Sequence, residues 1–437
     1  MKQNSGDNNT RRYDIDHLRV LAFGLLIFYH TAMLYVEGWG FHIKSGYQSD
    51  MLANIMLLVN PWRMPLIWMI SGIASYFLLK KLSFSHFLTS RTIRLLLPLF
   101  FGILFIVPFQ LYFEMKSNGD MELTLWQFWQ VFFDLDNPVF EKYQSGILPH
   151  IDVNHLWYLR ALWPFSLALL VLSPLLNKAP VTKAVTAIGH VVGRFSLLLI
   201  PILLLVLLDL SIFSQAEGDR ERQAVGFTFF IFGYLIANQT SLWHLMKQLR
   251  RPALVLSITT YAVVIYLYQT VYLDDSFVKT DSLNLLFSFI YQANLWLWLV
   301  CIFGYAFTYL NKKSQWVSYL NPAVYPFYIL HQSVIIGIGY PLIQLQLGGA
   351  LEASLILIAT LLICTISYEF IRRTHFLKPF FGLTISQSDL PNNMPSNLQS
   401  VSRLLFKPAV YQSIGVLLVL PIALPIFMWV SGLYLLL

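Results

Sequence analysis

The sequence predicts an all-α integral membrane protein, a bundle of about 11 transmembrane helices with a cytoplasmic N-terminus. Of its 437 residues, 57% are hydrophobic and only 12% are charged, whereas a soluble domain is about half apolar and about a quarter charged. This composition excludes a disordered chain, a collagen-like repeat and an ordinary soluble enzyme. The chain has only 2 cysteines, which excludes a disulfide scaffold and a cysteine-built metal site. We predict no metal cofactor.

The predicted spans are apolar stretches that match the hydrocarbon core of a bilayer, which is about 30 Å thick and needs about 20 helical residues. Ten of them form a predicted membrane core over residues 1–385. A cytoplasmic linker at 386–408 and an added C-terminal helix at 409–437 follow. The spans lie at 17–37, 52–79, 95–113, 155–177, 195–213, 223–243, 252–273, 284–310, 320–345, 350–371 and 409–436. Five spans contain prolines that are predicted to interrupt them, namely Pro65, Pro98, Pro164, Pro201 and Pro326.

The distribution of basic residues predicts the orientation. With the N-terminus inside, 21 of the 29 Lys and Arg residues fall in cytoplasmic segments and 6 in outer loops, while Arg63 and Arg160 fall inside spans. Lys and Arg are enriched on the cytoplasmic side of membrane proteins. The net charge of +7 therefore faces the cytoplasmic leaflet, and we predict a lipid bilayer rather than nucleic acid as the partner.

Ionisable side chains inside spans mark candidate functional residues, because burying them in lipid costs a few kcal/mol or more. At ~1.5 Å per helical residue, His30, Arg63 and His331 all come out near mid-membrane, which predicts a shared polar cavity. A simple packing hydrogen bond would also explain either histidine. Arg160 lies nearer the outer face, where an arginine is able to extend to the interface.

A second group of basic residues lies at the predicted cytoplasmic face. Arg91 and Arg94 are three positions apart and share a helix face, and Arg19 begins the first span. Positive-inside anchoring would explain these charges, but guanidinium groups also suit phosphate oxygens. The chain contains no glycine-rich phosphate loop, so we do not expect a nucleotide-hydrolysing motor.

Five short motifs follow one another along the chain. They are Arg19 and His30 with ten residues between them, Arg63-Met64-Pro65-Leu66, Arg91 with Arg94, His155-Leu156-Trp157-Tyr158-Leu159, and Tyr328-Ile329-Leu330-His331-Gln332. In this order they resemble the acyltransferase family 3 of multispanning membrane acyltransferases. The resemblance covers about residues 11–385 and is closest to the branch that succinylates periplasmic glucans. Two features depart from the family pattern, namely Tyr158, where phenylalanine is commoner, and the eleventh span.

The resemblance implies transfer of an acetyl or succinyl group from cytoplasmic acyl-coenzyme A to a hydroxyl of an extracytoplasmic glycan. It also implies a multi-pass location in a bacterial inner membrane, with glycan synthesis or export machinery as a partner. The predicted catalytic residues are His30, Arg63 and His331. Arg19, Arg91 and Arg94 are predicted to hold the coenzyme A phosphates, and His155, Trp157 and Arg160 to bind substrate.

Several roles stay open at the level of sequence. His30 acts as a general base on the acceptor hydroxyl or as an acyl-accepting nucleophile. Arg63 stabilises the thioester oxyanion or anchors an acidic acyl group, and His331 positions the acceptor. Asp16 is a helix cap or a partner of Arg19.

Two other classes of protein compete with the enzyme. Mid-membrane His and Arg side chains also suit a proton-coupled transporter, although such carriers often contain an internal repeat and we find none. The third hypothesis is a flippase-like partner in glycan export. Turnover of an acyl-coenzyme A thioester would favour the enzyme over the transporter. The export hypothesis is tested by whether a correctly inserted His30→Ala protein still supports the unmodified glycan.

Overall fold

The computed structural model describes residues 11–189, 191–273 and 280–384. The chain in these ranges is helical apart from loops and one extended segment, Val191–Arg194. The α-helices are α1 (Tyr13–Ala32), α2 (Asp50–Lys81), α3 (Phe84–Phe105), α4 (Pro108–Ser117), α5 (Leu125–Val131), α6 (Trp157–Leu176), α7 (Ala179–Ala187), α8 (Ser196–Leu208), α9 (Asp219–Ile236), α10 (Thr240–Leu267), α11 (Asp281–Tyr309), α12 (Gln315–Gln344) and α13 (Gly349–Arg373).

Eight helical segments in the described ranges are long and apolar enough to cross a membrane, which confirms a helical membrane protein. Helices α1 and α9 also coincide with predicted spans but are more polar, since each has two acidic residues in its first turn. The predicted linker and the added C-terminal helix lie outside the described residues. The count of eleven spans and the cytoplasmic N-terminus therefore stay predictions.

One predicted boundary is wrong. The sequence suggested a span at 223–243 and a loop before 252, but α9 ends at Ile236 and α10 begins at Thr240. The basic residues Lys247, Arg250 and Arg251 therefore lie inside α10. This helix has 28 residues and is about 42 Å long, more than the about 30 Å of a bilayer core. Its basic N-terminal half is long enough to extend beyond the lipid.

The prediction that prolines interrupt five spans is also wrong. Pro65, Pro98, Pro164, Pro201 and Pro326 lie inside the continuous helices α2, α3, α6, α8 and α12. Membrane helices tolerate proline because neighbouring helices and local adjustments satisfy the backbone groups that it leaves unbonded. The span predicted at 95–113 does break, but at Ile106–Val107, immediately before Pro108 starts α4.

The chain divides into two compact units. The first comprises Met1–Gly24, Leu57–Ala74 and Asn177–Asn321. Here α10 packs along α11, and α8 packs against α11. The beginning of α1 is fastened to this unit by Arg12, whose guanidinium pairs with the buried Asp14 at 2.6 Å and lies 3.9 Å from the ring centroid of Trp243.

Glycines bring two helices of the first unit into close contact. A Cβ atom added to Gly72 in α2 would lie 1.9 Å from the carbonyl oxygen of Phe230 in α9. One added to Gly233 in α9 would lie 2.1 Å from the carbonyl oxygen of Met69. Small residues allow membrane helices to approach at backbone distance, so these two positions set the crossing of α2 and α9.

The second unit comprises Leu25–Met56, Ser75–Leu176 and Pro322–Leu437. Within its described part, α3 packs along α6, and the indole nitrogen of Trp163 donates to the hydroxyl of Thr92 at 3.1 Å. An apolar cluster joins the end of α1 to α12 and α13, and includes Ile27, Leu34, Ile335 and Ile356. This cluster positions the end of α1 and the middle of α12, which carry two of the candidate catalytic histidines.

Candidate active site

Three histidines from distant parts of the sequence converge in the second unit. His30 lies in the last turn of α1, His331 in the middle of α12, and His155 in a 3₁₀ turn, Asn154–Leu156, that leads into α6. The ring centroids of His30 and His331 are 5.2 Å apart, and those of His155 and His331 are 5.3 Å apart. The structure thus brings together three of the predicted site residues.

The backbone before His155 takes an unusual course. Asn154 has φ +42° and His150 has φ +51°, both in the left-handed region. Asparagine is among the few residues that enter this region readily, because its short polar side chain bonds locally. The turn places the ring of His155 against α12, where it is 6% exposed.

Both ring nitrogens of His155 are bonded within the protein. Nδ1 lies 3.0 Å from the amide nitrogen of Gln110, and Nε2 lies 3.0 Å from the carbonyl oxygen of Ile329. The hydroxyl of Tyr328 also donates to the backbone carbonyl of His155. These contacts hold the ring in place. The substrate-binding role of His155 stays a prediction.

The ring of His331 has one bonded nitrogen. Nδ1 lies 3.1 Å from the carbonyl oxygen of Phe327 and 2.8 Å from that of Tyr328. Carbonyls only accept, so Nδ1 carries the proton in the neutral ring and Nε2 holds the lone pair. Nε2 is buried and has no hydrogen-bond partner among the described residues. His331 therefore has one unprotonated ring nitrogen, in a ring whose centroid lies 5.2 Å from that of His30.

The predicted arginines are divided between the two units. Arg63 lies in the part of α2 that belongs to the first unit, as does Arg19, whose guanidinium donates to Asn321 at 3.4 Å. The amide of Asn321 also donates to Asp16 at 3.0 Å, so Asp16 and Arg19 share one partner. A cavity shared by Arg63 and the histidines stays a prediction.

Arg91 and Arg94 lie in the first half of α3, in the second unit. A guanidinium nitrogen of Arg91 lies 2.5 Å from the hydroxyl of Ser75, and the side chain of Arg94 is exposed. The hydroxyl of Tyr325 donates to the backbone carbonyl of Arg94 at 2.7 Å, which ties α3 to α12 at this end.

A basic cavity of about 410 Å³ lies in the same unit. Arg372, Arg373 and Lys378 contribute its positive charge, although Glu369 pairs with both arginines at 2.9–3.0 Å. The sequence did not indicate this cavity, because its lining comes from three separate segments. The lining residues are Pro322, Tyr368, Arg372, Arg373, Lys378, Leu383 and Thr384.

The remaining predicted substrate residues begin α6. Trp157 and Arg160 are three positions apart and both are half-buried. Residues at this spacing share a helix face. Their predicted contact with substrate stays a prediction.

Sequence reasoning missed three polar residues beside the histidines. Gln110 bonds His155 and Ser333, while His42 is hydrogen-bonded to Glu114 and lies next to Gln332. The partners His42 and Glu114 are 72 positions apart, and neither belongs to a recognisable motif. Only the folded chain shows that they meet.

These observations define a helical membrane protein with a buried histidine site. A family described as an acyltransferase domain matches residues 12–369, most of the chain. The protein therefore belongs to this family, the acyltransferase family 3 that the five motifs resemble, and is a membrane acyltransferase. No curated protein and no solved structure matches the chain.

Proposed function

We propose that this protein is an O-acyltransferase of the bacterial inner membrane. It moves an acetyl or succinyl group from cytoplasmic acyl-coenzyme A to a hydroxyl of an extracytoplasmic glycan. The observation that carries the proposal is the pair formed by His30 and His331, whose ring centroids are 5.2 Å apart inside a family of acyltransferases. Imidazole is the side chain best suited to proton transfer near neutral pH.

The chemistry needs one base and no further reagent. The acceptor hydroxyl oxygen attacks the thioester carbonyl carbon, and His30 takes the hydroxyl proton. The carbon–sulfur bond then breaks, and the coenzyme A thiolate receives that proton from the imidazolium of His30. Nε2 of His331 accepts a hydrogen bond from the incoming acceptor and so orients it. In the alternative route, His30 attacks the thioester itself and carries the acyl group.

The donor is proposed to bind through its phosphates. Arg91 and Arg94 stand close together at one end of α3, and their guanidinium groups match phosphate oxygens in shape and charge. Arg19 belongs to the same predicted set. The basic cavity beside Arg372, Arg373 and Lys378 adds positive potential to the second unit. The long, thin pantetheine arm is suited to carry the acyl group from the phosphates to the histidines.

The other site residues keep their proposed roles. Arg63 stabilises the developing oxyanion or holds an acidic acyl group. Trp157, Arg160 and His155 hold the acceptor. Membership of the glucan-succinylating branch and a partner in glycan synthesis or export belong to this proposal.

The first experiment measures thiol release from acetyl- and succinyl-coenzyme A by the purified protein in detergent. His30→Ala and His331→Ala are compared with His86→Ala, which removes an exposed histidine outside the site. We expect release with one donor, loss in the two site variants and normal release in the control. Each variant is checked for intact insertion and a monodisperse elution profile.

A second set of variants tests donor binding. Arg91→Ala combined with Arg94→Ala should raise KM for acyl-coenzyme A far more than it lowers kcat. Normal donor affinity in the double variant would remove these arginines from the phosphate site. If the wild type releases no thiol even with a crude glycan extract, the enzyme proposal fails and the transporter becomes the better hypothesis.

A further inference from the structure

A chain of hydrogen bonds connects a partly exposed carboxylate–imidazole pair, Glu114 and His42, to the buried histidine site. Nδ1 of His42 bonds the carboxylate of Glu114, and Nε2 of His42 lies 3.2 Å from the amide nitrogen of Gln332. That same nitrogen lies 3.1 Å from the side-chain oxygen of Gln110, whose amide nitrogen lies 3.0 Å from Nδ1 of His155. The chain therefore runs from Glu114 to His155 without a gap.

The direction of the outer bonds follows from the chemistry of each group. The amide nitrogen of Gln332 only donates, and it gives one hydrogen to Gln110 and one to His42. Nε2 of His42 must then be the acceptor, so its ring proton sits on Nδ1. That proton is donated to the carboxylate of Glu114, in a charge-assisted bond.

The inner bonds are determined in the same way. The oxygen of Gln110 is occupied by Gln332, so its amide nitrogen faces Nδ1 of His155 and the hydroxyl of Ser333, the latter at 2.8 Å. Ser333 passes its own hydrogen to the carbonyl of Ile106 at 2.8 Å. Nδ1 of His155 is therefore an acceptor, which puts the ring proton on Nε2, where the carbonyl of Ile329 receives it.

We propose that Glu114 and His42 are positioning residues of the histidine site, which hold His155 in a single neutral form with its proton on Nε2. They act through the amide of Gln332, which their hydrogen bond orients, and through that of Gln110, which Ser333 helps to orient. The inference that this matters for acyl transfer rests on the proposed function.

The protonation state of His155 matters because its ring lies close to that of His331. His155 and His331 are 5.3 Å apart and both are buried. If Nδ1 of His155 also carried a proton, the ring of His155 would be positively charged. This charge beside His331 would oppose the approach of another proton, or of a hydrogen-bond donor, to Nε2 of His331. A neutral His155 with both nitrogens engaged leaves Nε2 of His331 able to accept a hydrogen bond from the substrate.

The exposed fraction of the side chains falls from the outer to the inner residues of this hydrogen-bond chain. The side chains of Glu114 and His42 are 28% and 16% exposed, whereas Gln332 and Gln110 are 4% and 0% exposed as residues. The charged carboxylate thus sits where water still reaches it, while the neutral amides carry its orienting effect inward. This arrangement avoids placing a charge beside the reacting groups.

The test reads the tautomer of His155 directly, by nitrogen NMR of protein labelled at histidine and solubilised in detergent. A His155→Gln variant identifies the signal. Glu114→Gln should keep the wild-type tautomer, because its side-chain oxygen still accepts from His42. Glu114→Leu has no acceptor and should give a mixture of tautomers or a charged ring. Glu122→Gln, at an exposed loop position, is the matched control.

A second variant keeps the proposal open to refutation if Glu114→Leu does not fold. Gln332→Met interrupts the chain while Glu114 and His42 remain, and it should disturb the His155 signal in the same way. A wild-type signal from His155 in either folded variant, Glu114→Leu or Gln332→Met, would overturn the proposal.

Kinetics test the catalytic consequence separately. Glu114→Leu should lower kcat for thioester turnover by roughly ten-fold or more, with an unchanged KM for acyl-coenzyme A, and Glu114→Gln should restore it. An altered tautomer with normal turnover would refute the positioning role. If the wild type shows no turnover at all, the proposed function fails. The NMR experiment still decides whether the hydrogen bonds from Glu114 fix the tautomer of His155.

Discussion

The close crossing of α2 and α9 makes Gly72→Ala a sharp test of the packing in the first unit. An added Cβ atom would lie 1.9 Å from the carbonyl oxygen of Phe230, whereas an ordinary contact begins at 3.4 Å. The helices would have to separate by about 1.5 Å, and both sides of the clash are backbone, so no side chain is able to turn away. We expect roughly 3 kcal/mol of destabilisation, the upper end of the usual range for overpacked sites.

Two matched variants accompany it. Gly233→Ala meets the carbonyl of Met69 at 2.1 Å and should cost about as much. The double variant should cost less than the sum, because the first substitution already separates the helices. Gly24→Ala, also in a helix, meets nothing within 4 Å and should be neutral or slightly stabilising, since alanine favours a helix by about 1 kcal/mol over glycine.

The assay follows the reaction of a buried cysteine with a thiol-specific dye during heating. Cys301 is 4% exposed and lies in the first unit, so a Cys364→Ala background reports unfolding there. At roughly 2–4 °C per kcal/mol, Gly72→Ala should lower Tm by roughly 6–12 °C. A Tm within about 2 °C of that of Gly24→Ala would refute the close crossing.

Three further predictions concern other parts of the chain. Ser45→Ala removes the 2.9 Å hydrogen bond to the fully buried Glu352, and should lower stability by about 1–3 kcal/mol in the same assay, with Cys364 as the reporter; an unchanged Tm would contradict it. The hydrogen bond from Lys142 lowers the pKa of Asp120, so this ion pair stabilises the loop at neutral pH and is lost as the pH falls through that lowered pKa. Asp120→Asn should therefore speed amide exchange in the loop at pH 7, and its difference from the wild type should shrink as the pH falls through that lowered pKa. Arg63→Lys should reduce thiol release strongly, because lysine lacks the planar fork of guanidinium; near-normal release would show that a point charge suffices.

Much of the membrane architecture was predictable, because a span needs only a long apolar run and carries that signal locally. The positions of α2, α3, α6, α8, α11, α12 and α13 follow from such runs. The exact positions at which the helices begin and end did not follow from these runs. The join between α9 and α10 is only three residues long, Ala237 to Gln239, and falls inside a stretch that was predicted as one span. Five prolines that break helices in water lie inside continuous membrane helices here.

The family was also determined by the sequence alone, since five short motifs in a given order identify it without any knowledge of their distances. His30 and His331 were noticeable as costly polar residues in apolar surroundings, and His155 was noticeable as part of a family motif. Only the tertiary structure decided that the rings of His30 and His155 both lie beside that of His331, that Nε2 of His331 has no partner among the described residues, and that His42 and Glu114 belong to the same network. A hydrogen bond between residues 72 positions apart depends on helix packing and rotamers, and neither leaves a periodic trace in the chain.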